Sequence, residues 1–223
     1  MLSWNLFHGR ALPPAGHDLQ AEFAAALAGW AWDVALLQEV PPWWVPALAA
    51  RCDADARIAL TSRNELAPLR RAIARRWPDA IKSGGGGANA ILARAPIAAH
   101  RRLLLRRWPE RRVCHAIALE DGTWCANLHA QVHSPARAGA DIARAAAATL
   151  AWAGGGPALL GGDFNVPAPA ARGFAWLAGH GVDHVLGHGL DAGGPVELPD
   201  RGPLSDHAPI VVSVVAREAG PDG

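Results

Sequence analysis

Segments of helical periodicity alternate with short apolar runs along most of the chain. Leu19, Phe23, Ala26, Leu27 and Trp30 recur at three- and four-residue spacings, which is the pattern of a helix with one apolar face. The same periodicity recurs in three further segments, each with proline or glycine at one boundary. The predicted helices are His17–Trp30, Trp43–Arg51, Asn64–Trp77 and Ala136–Ala153.

Short apolar runs bounded by turn residues predict the strands. Four of them follow one another in the middle of the chain, and Asp121-Gly122 supplies a hairpin turn between the last two. The predicted strands are Leu2–Leu6, Val34–Gln38, Ala88–Leu92, Ala98–Leu105, Val113–Leu119, Trp124–Asn127, Ala158–Gly161, Val182–Leu186 and Pro209–Val215.

This order of elements indicates an α/β protein. The consecutive strands in the middle argue against a purely parallel sheet, because parallel strands need a crossover between them. Two mixed β-sheets packed face to face, with helices outside, accommodate both the alternating and the consecutive parts. We expect one domain over residues 1–216 and a flexible tail over 217–223.

Composition places the chain among globular proteins. Of its 223 residues, 51% are hydrophobic and 18% charged, and the mean hydropathy is +0.07. No run of about 18 or more apolar residues predicts a membrane span, and the first residues lack the pattern of a signal peptide. Three cysteines without a C-x-x-C spacing, Cys52, Cys114 and Cys125, read as small buried residues in a reducing compartment. We therefore expect a cytoplasmic protein, and we favour a monomer.

Charge is balanced over the whole chain but uneven along it. Lysine and arginine together number 21 against 20 acidic residues, for a net charge of +1. The molecule is therefore not a polycation, although its arginines cluster. A solvated face and a phosphate-facing surface are both consistent with such runs. The two clusters are Arg70, Arg71, Arg75 and Arg76, and Arg101, Arg102, Arg106, Arg107, Arg111 and Arg112.

Polar residues capable of chemistry stand at or just after the ends of apolar runs in five places. Burying one such group without a partner costs about 1–3 kcal/mol, so five of them need a shared reason. Convergence on one polar cleft supplies that reason. The five segments are Ser3-Trp4-Asn5, Leu37-Gln38-Glu39-Val40, Asn127-Leu128-His129, Gly161-Gly162-Asp163-Phe164-Asn165 and Ser205-Asp206-His207.

These side chains suit a hard divalent cation. Oxygen donors without cysteine favour Mg²⁺, with Mn²⁺ or Ca²⁺ as alternatives, over structural zinc. Glu39 is the best single ligand candidate, and Asn5 and Asp206 are candidates to join it directly or through water.

The remaining polar residues suit hydrolysis at such a cation. Asp163 is a candidate to orient or deprotonate a water, with Asn165 as a hydrogen-bond donor beside it. His129 and His207 are candidates to donate to phosphoryl oxygens as charge develops. Asp183 precedes a histidine in a strand-like segment and is a candidate to fix the tautomer of a catalytic histidine.

The motif order resembles that of the endonuclease/exonuclease/phosphatase superfamily. The resemblance rests on W-N, L-Q-E, N-x-H, G-D-F-N, V-D-H-V and S-D-H-x-P-I, in that order, from Ser3 to Val215. It implies a four-layer α/β sandwich and the roles given above for the metal-binding and catalytic residues. It also implies two weaker phosphate-binding candidates, Asn89 in the segment Ala88–Arg94 and Arg112 at the head of the next strand.

The chain also departs from the family pattern. It has no tyrosine, so the active-site tyrosine of the abasic-site endonucleases is missing, and Phe7 stands where that branch has an aspartate. The stretch between Asn165 and Asp183 is short, which predicts that the helix and loops of this region are trimmed. His8 and His133 lie a few residues past motifs; lining the cleft and an ordinary surface position both stay open for them.

Three hypotheses follow. The first is a metal-dependent phosphodiesterase or nuclease acting by in-line water attack on a phosphate ester, with nucleic acid among the possible substrates. The second keeps the chemistry but changes the substrate to a phosphomonoester or a phospholipid headgroup, such as a phosphoinositide or sphingolipid. The third is a non-catalytic binding module on the same fold.

Overall fold

A computed structural model of the chain describes residues 1–61, 66–79, 87–108 and 110–217. A short 3-10 turn spans Phe7–Gly9. The α-helices within these ranges are Gln20–Gly29 (α1), Val45–Cys52 (α2), Ala67–Arg76 (α3) and Pro135–Ala153 (α4).

The strands of the described ranges build two large sheets and one small ribbon. They are Leu2–Asn5 (β1), Val34–Val40 (β2), Asp55–Leu60 (β3), Ala88–Ala93 (β4), Ile97–Arg106 (β5), Arg112–Leu119 (β6), Trp124–His129 (β7), Ala158–Asp163 (β8), Ala175–His180 (β9), Asp183–His188 (β10), Leu190–Ala192 (β11), Ile210–Val211 (β12) and Val214–Ala216 (β13).

Both large sheets are mixed. The first has the order β12-β1-β2-β4-β3, in which β1 and β2 run parallel and the other pairs antiparallel. The second has the order β5-β6-β7-β8-β10-β9, in which only β7 and β8 are parallel. Strands β11 and β13 form the separate ribbon. The predicted pair of mixed sheets is confirmed.

Alternation along the strands separates the layers. In β2, Val34 and Leu36 pack into the core between the sheets, while Ala35 and Leu37 face the apolar side of α1 and α2. On the far side of the second sheet, apolar residues of α4 pack against β6, β7 and β8. The layers are therefore helices, sheet, sheet and helix, and the predicted four-layer α/β sandwich is confirmed.

Three observed strands, β3, β9 and β11, are absent from the sequence prediction. Each is an edge strand, at one end of its sheet. An edge strand is paired on one side only and tolerates polar and half-exposed residues, so its apolar pattern is weak. The predicted strand Pro209–Val215 divides into β12 and β13, which belong to different sheets. The stretch between Asn165 and Asp183 holds β9 and no helix.

Four further sequence predictions are compared with the structure below. The three cysteines are free and buried. Among the described residues, no helix has both the length and the apolar character needed to cross a membrane. Arg217, the first residue of the predicted tail, pairs with Asp191, and residues 218–223 lie outside the described ranges. The start of the predicted Asn64–Trp77 helix also lies outside them.

Strand alternation also places polar residues between the sheets. Asn5, Asn127 and Asp163 each stand next to residues whose side chains face outward, such as Trp4 and Leu128. Each is therefore on the inner face of its strand, and each is buried. β1 and β2 end side by side in one sheet, and β7 and β8 in the other. Because Asn5 at the end of β1 contacts Asp163 at the end of β8, these side chains collect at one end of the sandwich.

Gly162 makes this clustering of polar side chains possible. It precedes Asp163 at a point where β8 passes close to β7. Its φ is 140°, and a Cβ there would overlap the carbonyl of Leu128. Replacing it by alanine should therefore lower the free energy of unfolding by about 2–4 kcal/mol, measured by urea denaturation.

Gly139→Ala is the matched control. Gly139 lies in α4 with open space around its Cα, so alanine there should leave stability unchanged or raise it by about 0.5–1 kcal/mol. Equal stabilities for the two variants would contradict the assignment of Gly162.

His115 predicts a pH dependence of stability. The residue is fully buried, with its Nδ1 3.2 Å from Nε2 of His100. Burial, and then the charges of His100 and Arg102, lower the pKa of His115 to about 3. The unfolded chain therefore takes up this proton first, and stability should fall as pH decreases from about 6.5 towards 3. His115→Gln should flatten this slope in urea titrations; parallel profiles for variant and parent would refute the assignment.

Candidate active site

A bulge in β2 carries the first site residue. The pairing of β2 with β4 shifts register between Leu37 and Val40, and Glu39 inside the bulge has a left-handed φ of 52°. A bulge redirects a side chain relative to the regular strand. Glu39 is thereby placed at the strand end rather than in the ladder, with 22% of its side chain exposed.

Beneath the bulge, two buried amides join the sheets. Nδ2 of Asn127 on β7 donates to the carbonyls of Leu37 and Ala90 on the other sheet, each at 2.9 Å. Nε2 of Gln38 donates to Oδ1 of Asn127 at 2.9 Å and to the carbonyl of Leu36 at 3.0 Å. Both side chains are fully buried. We call this pair the amide bridge; its hydrogen bonds stabilise the site from below.

Asp163, at the end of β8, lies at the centre of the polar cluster. Its Oδ2 accepts from Nδ2 of Asn5 at 3.0 Å, and its Oδ1 accepts from the backbone N–H of Asn165 at 3.0 Å. Nε2 of His129 lies 3.5 Å from Oδ2, and Nε2 of His207 lies 4.0 Å from it. Burial, followed by the charge of Asp183, raises the pKa of Asp163.

His207 is held by a carboxylate behind it. Its Nδ1 lies 2.7 Å from Oδ2 of Asp183, so the opposite nitrogen points towards Asp163. Its backbone N–H also donates to Oγ of Ser205. Burial acts to lower the pKa of His207, but the hydrogen bond and charge of Asp183, with the charges of Asp163 and Asp206, raise it to about 9. The imidazole is therefore a cation at neutral pH.

His129 has the opposite electrostatic character. The side chain is buried beside Asp163. Burial, and then the positive charges of Arg112, His8 and His207, lower the pKa of His129 well below its usual value. The cluster thus holds one neutral and one charged histidine, which can serve different steps of one reaction.

Glu39 has a crowded electrostatic environment that suits a cation. Burial, and then the charges of Asp163 and Asp206, raise its pKa to about 7, although Arg112 and His207 act in the opposite direction. A deprotonated carboxylate here is costly unless more positive charge is added. The residues therefore fit a bound divalent ion at Glu39 with oxygen donors around it.

His8 also contacts Glu39. Its Nε2 lies 3.1 Å from Oε2 of that residue. Burial, and then the charges of Arg10, Arg112 and Arg70, lower the pKa of His8 to about 4. In the sequence His8 carries only the weak signal of following a motif closely. The fold brings it to the metal candidate because the 3-10 turn after β1 lies beside the bulge of β2.

Backbone strain concentrates at this end of the sandwich. Seven described non-glycine residues have positive φ, a conformation that costs about 1–3 kcal/mol and clusters at functional sites. Five of the seven belong to segments of the site. Those five are Phe7, His8, Glu39, Asn165 and Ser205.

The other predicted site residues take the following places. Oδ1 of Asn5 accepts from the N–H of Phe7, and Nδ2 of Asn5 donates to Asp163. Both ends of this amide are therefore hydrogen-bonded. Nδ2 of Asn165 donates to the carbonyl of Ala130. Asp206 is exposed beside the His207 ring, with 3.8 Å from its Oδ1 to Nε2.

The two weaker phosphate candidates differ in position. Asn89 is fully buried between the sheets, and its Nδ2 donates to the carbonyl of Val113. Arg112 is nearly buried and forms an ion pair with Glu110, close enough to act on the pKa of Glu39 and of His129. Arg112 therefore lies at the cluster, while Asn89 lies beneath it.

Within the described ranges, Asp163, Asp183 and His207 also place one ligand atom each within 4.8 Å of one another. Nδ1 of His207 is hydrogen-bonded to Asp183, and its Nε2 lies 4.0 Å from Asp163, so the imidazole stands between the two carboxylates.

Comparisons with known proteins agree with this fold. The model of the Endonuclease/Exonuclease/phosphatase family matches residues 2–207. No curated protein sequence matches the chain.

Several solved structures share the fold. One is the endonuclease/exonuclease/phosphatase from Beutenbergia cavernae DSM 12333, with 18% identity over 96% of this chain and 70% of that chain and a TM-score of 0.67. The human Nocturnin catalytic domain with bound sulfate anion has 14% identity, coverage of 97% and 92%, and a TM-score of 0.68. The mannosyl-6-phosphatase from Bacteroides thetaiotaomicron VPI-5482 has 15% identity, coverage of 88% and 90%, and a TM-score of 0.60.

The amide bridge predicts a large stability effect. Asn127→Ala would remove a hydrogen-bond donor from two buried carbonyls and would leave the amide of Gln38 with only its bond to Leu36. The free energy of unfolding should fall by about 2–5 kcal/mol in urea denaturation. Gln38→Ala should cost less, and the double variant should cost less than the sum of the two, because the residues share a hydrogen bond. Strict additivity would show that the bridge does not act as a unit.

Proposed function

Because this chain belongs to the endonuclease/exonuclease/phosphatase family, we propose that it is a divalent-metal-dependent phosphoesterase that hydrolyses a phosphodiester by in-line attack of water. The observation that carries the proposal is the environment of Asp163. This buried carboxylate is hydrogen-bonded to Asn5 and Asn165. It also faces a neutral histidine, His129, and a cationic one, His207.

Asp163 has the position and the basicity of a group that prepares the water. Asn5 and the backbone of Asn165 hold both carboxylate oxygens in place, which orients the remaining lone pairs towards the cleft. Burial and the charge of Asp183 raise its pKa, so the carboxylate can accept a proton from water more readily than an exposed aspartate can.

The histidines face the oxygens of the phosphoryl group. His207, kept cationic by Asp183, can donate from Nε2 to an oxygen on which negative charge develops. His129 is neutral and can donate one hydrogen bond without adding charge. Arg112 adds positive potential at the same end of the sandwich.

Glu39, with Asp206 and oxygen atoms near them, would hold the cation. A Mg²⁺-type ion bound there would polarise a phosphoryl oxygen and lower the charge repulsion within the cluster.

Electrostatics favour a diester over a monoester. Four carboxylates, those of Glu39, Asp163, Asp183 and Asp206, act on one another or on His207 in the cluster. A monoester dianion meets more repulsion there than a diester monoanion does. Nucleic acids are therefore among the substrates to be tested.

A phosphomonoester is the second candidate. Its support is the fold shared with a mannosyl-6-phosphatase over most of both chains. The identity of that protein with this chain is 15%, so the likeness supports a substrate to be tested and no more.

The proposal predicts hydrolysis of bis(p-nitrophenyl) phosphate that needs Mg²⁺ or Mn²⁺ and stops with EDTA. Asp163→Asn should reduce kcat by about 10²–10⁴-fold, because the amide cannot accept the proton of the water. The diester should be a better substrate than p-nitrophenyl phosphate under the same conditions, as measured by kcat/KM for each compound.

Asp191→Asn is the matched control, since Asp191 is a half-exposed carboxylate that pairs with Arg217 on the small ribbon. Its activity should equal that of the parent. Unchanged turnover by Asp163→Asn would refute the proposed role, and faster cleavage of the monoester would favour the second candidate.

A further inference from the structure

His8 and Glu39 form an unusual contact at the edge of the cluster. Nε2 of His8 and Oε2 of Glu39 are 3.1 Å apart, and both residues have left-handed backbones, with φ of 56° and 52°. This conformation is uncommon for glutamate, whereas histidine adopts it more often than most residue types do. Two strained residues that meet at one point indicate that the contact between their side chains is maintained for a function.

The contact does not have the form of a hydrogen bond. Among the described residues, Nδ1 of His8 is buried without a partner. The contact of Nε2 with Glu39 is close in distance but lacks the alignment that a hydrogen bond requires.

Such a spacing is typical of neighbouring ligands on one cation. Ligand atoms about 2.0–2.2 Å from an ion lie about 3 Å apart when they subtend a right angle at it. We propose that His8 Nε2 and Glu39 Oε2 coordinate the same divalent ion. The inference rests on the proposed function for the presence of that ion and adds a nitrogen donor to its site.

No described group fixes the tautomer against this role. A histidine binds a metal through a nitrogen that carries no proton. If a donor held Nδ1, the proton would be forced onto Nε2, and coordination there would be blocked. Nδ1 has no such donor among the described residues, so the tautomer that carries its proton on Nδ1 and leaves the Nε2 lone pair for a metal is not blocked.

A nitrogen donor changes which metal the site prefers. Mg²⁺ and Ca²⁺ are bound by oxygen, whereas imidazole suits the divalent transition metals. Glu39 and His8 would together supply one oxygen and one nitrogen donor to the ion. The expected resident ion is therefore of the Mn²⁺ class, bound more tightly than Mg²⁺.

The test uses the full chain with Mn²⁺ alone. Pulsed electron paramagnetic resonance of bound Mn²⁺ should show coupling to a ¹⁴N nucleus in the parent protein. His8→Asn should abolish it, and asparagine is chosen because it tolerates a left-handed backbone. The Kd for Mn²⁺ should rise by about tenfold or more, while the Kd for Mg²⁺ should change less.

Two further variants make the result specific. His17→Asn removes an exposed histidine that pairs with Glu22, and it should keep both the coupling and the Kd. His207→Asn should also keep the coupling, since the proposed nitrogen donor is His8. Loss of coupling in His207→Asn and its persistence in His8→Asn would place the ion at Asp163, Asp183 and His207 instead and overturn the proposal.

The remaining outcomes are also decisive. Equal weakening of Mn²⁺ and Mg²⁺ by His8→Asn, with coupling retained, would overturn coordination and leave His8 a group that positions Glu39. A parent protein that does not bind Mn²⁺ would overturn it as well.

Thermal melting in EDTA checks that His8→Asn is folded, and His8→Gln repeats the test if it is not. Nitrogen coupling without turnover of any phosphate ester would contradict the proposed function and leave this inference standing.

Discussion

The candidate site depends on the hydrogen bonds by which Asn127 joins the two sheets. Asn89 and Asn5 each add one hydrogen bond across the interface, and the apolar side chains between the sheets stabilise it without fixing how one sheet is placed along the other. The amide of Asn127 is directional: it binds two carbonyls of the first sheet and accepts from Gln38. Since these groups are fully buried, a shift of one sheet would leave several of them unpaired at high cost.

That constraint places residues from both sheets around one space. Asn5 and Glu39 come from the first sheet, and His129, Asp163 and Asp183 come from the second. His207 lies on a loop that Ser205 binds to the carbonyl of Asn5. Burial, and then the repulsion between carboxylates gathered in this way, raises the pKa of Glu39 and of Asp163. The same crowding produces a place for a cation, a cationic histidine beside Asp183, and a basic carboxylate for water.

The sequence predicts the parts of the fold that are buried on both faces. Strands such as β2, β4 and β8 have apolar residues on alternate faces because each face packs against a different layer. The edge strands β3 and β9 were missed because half-exposed edges carry no such pattern. Helix α1 was predicted, although its observed start at Gln20 lies after the expected His17, since helix ends depend on local capping.

Residue types and their order determined the family, the two-sheet class and the set of polar side chains at strand ends. The gathering of Asp163, His207, Asp183 and Glu39 in one cluster was predictable because polar groups that follow apolar strands need a shared polar cleft. Only the tertiary structure decided that Gln38 and Asn127 serve the interface, that Asn5 turns to Asp163, and that His8 lies against Glu39. These contacts join residues distant in the chain or separated by a turn. Their formation depends on the bulge, the left-handed turns and the sheet-to-sheet register, none of which leaves a periodic signal in the sequence.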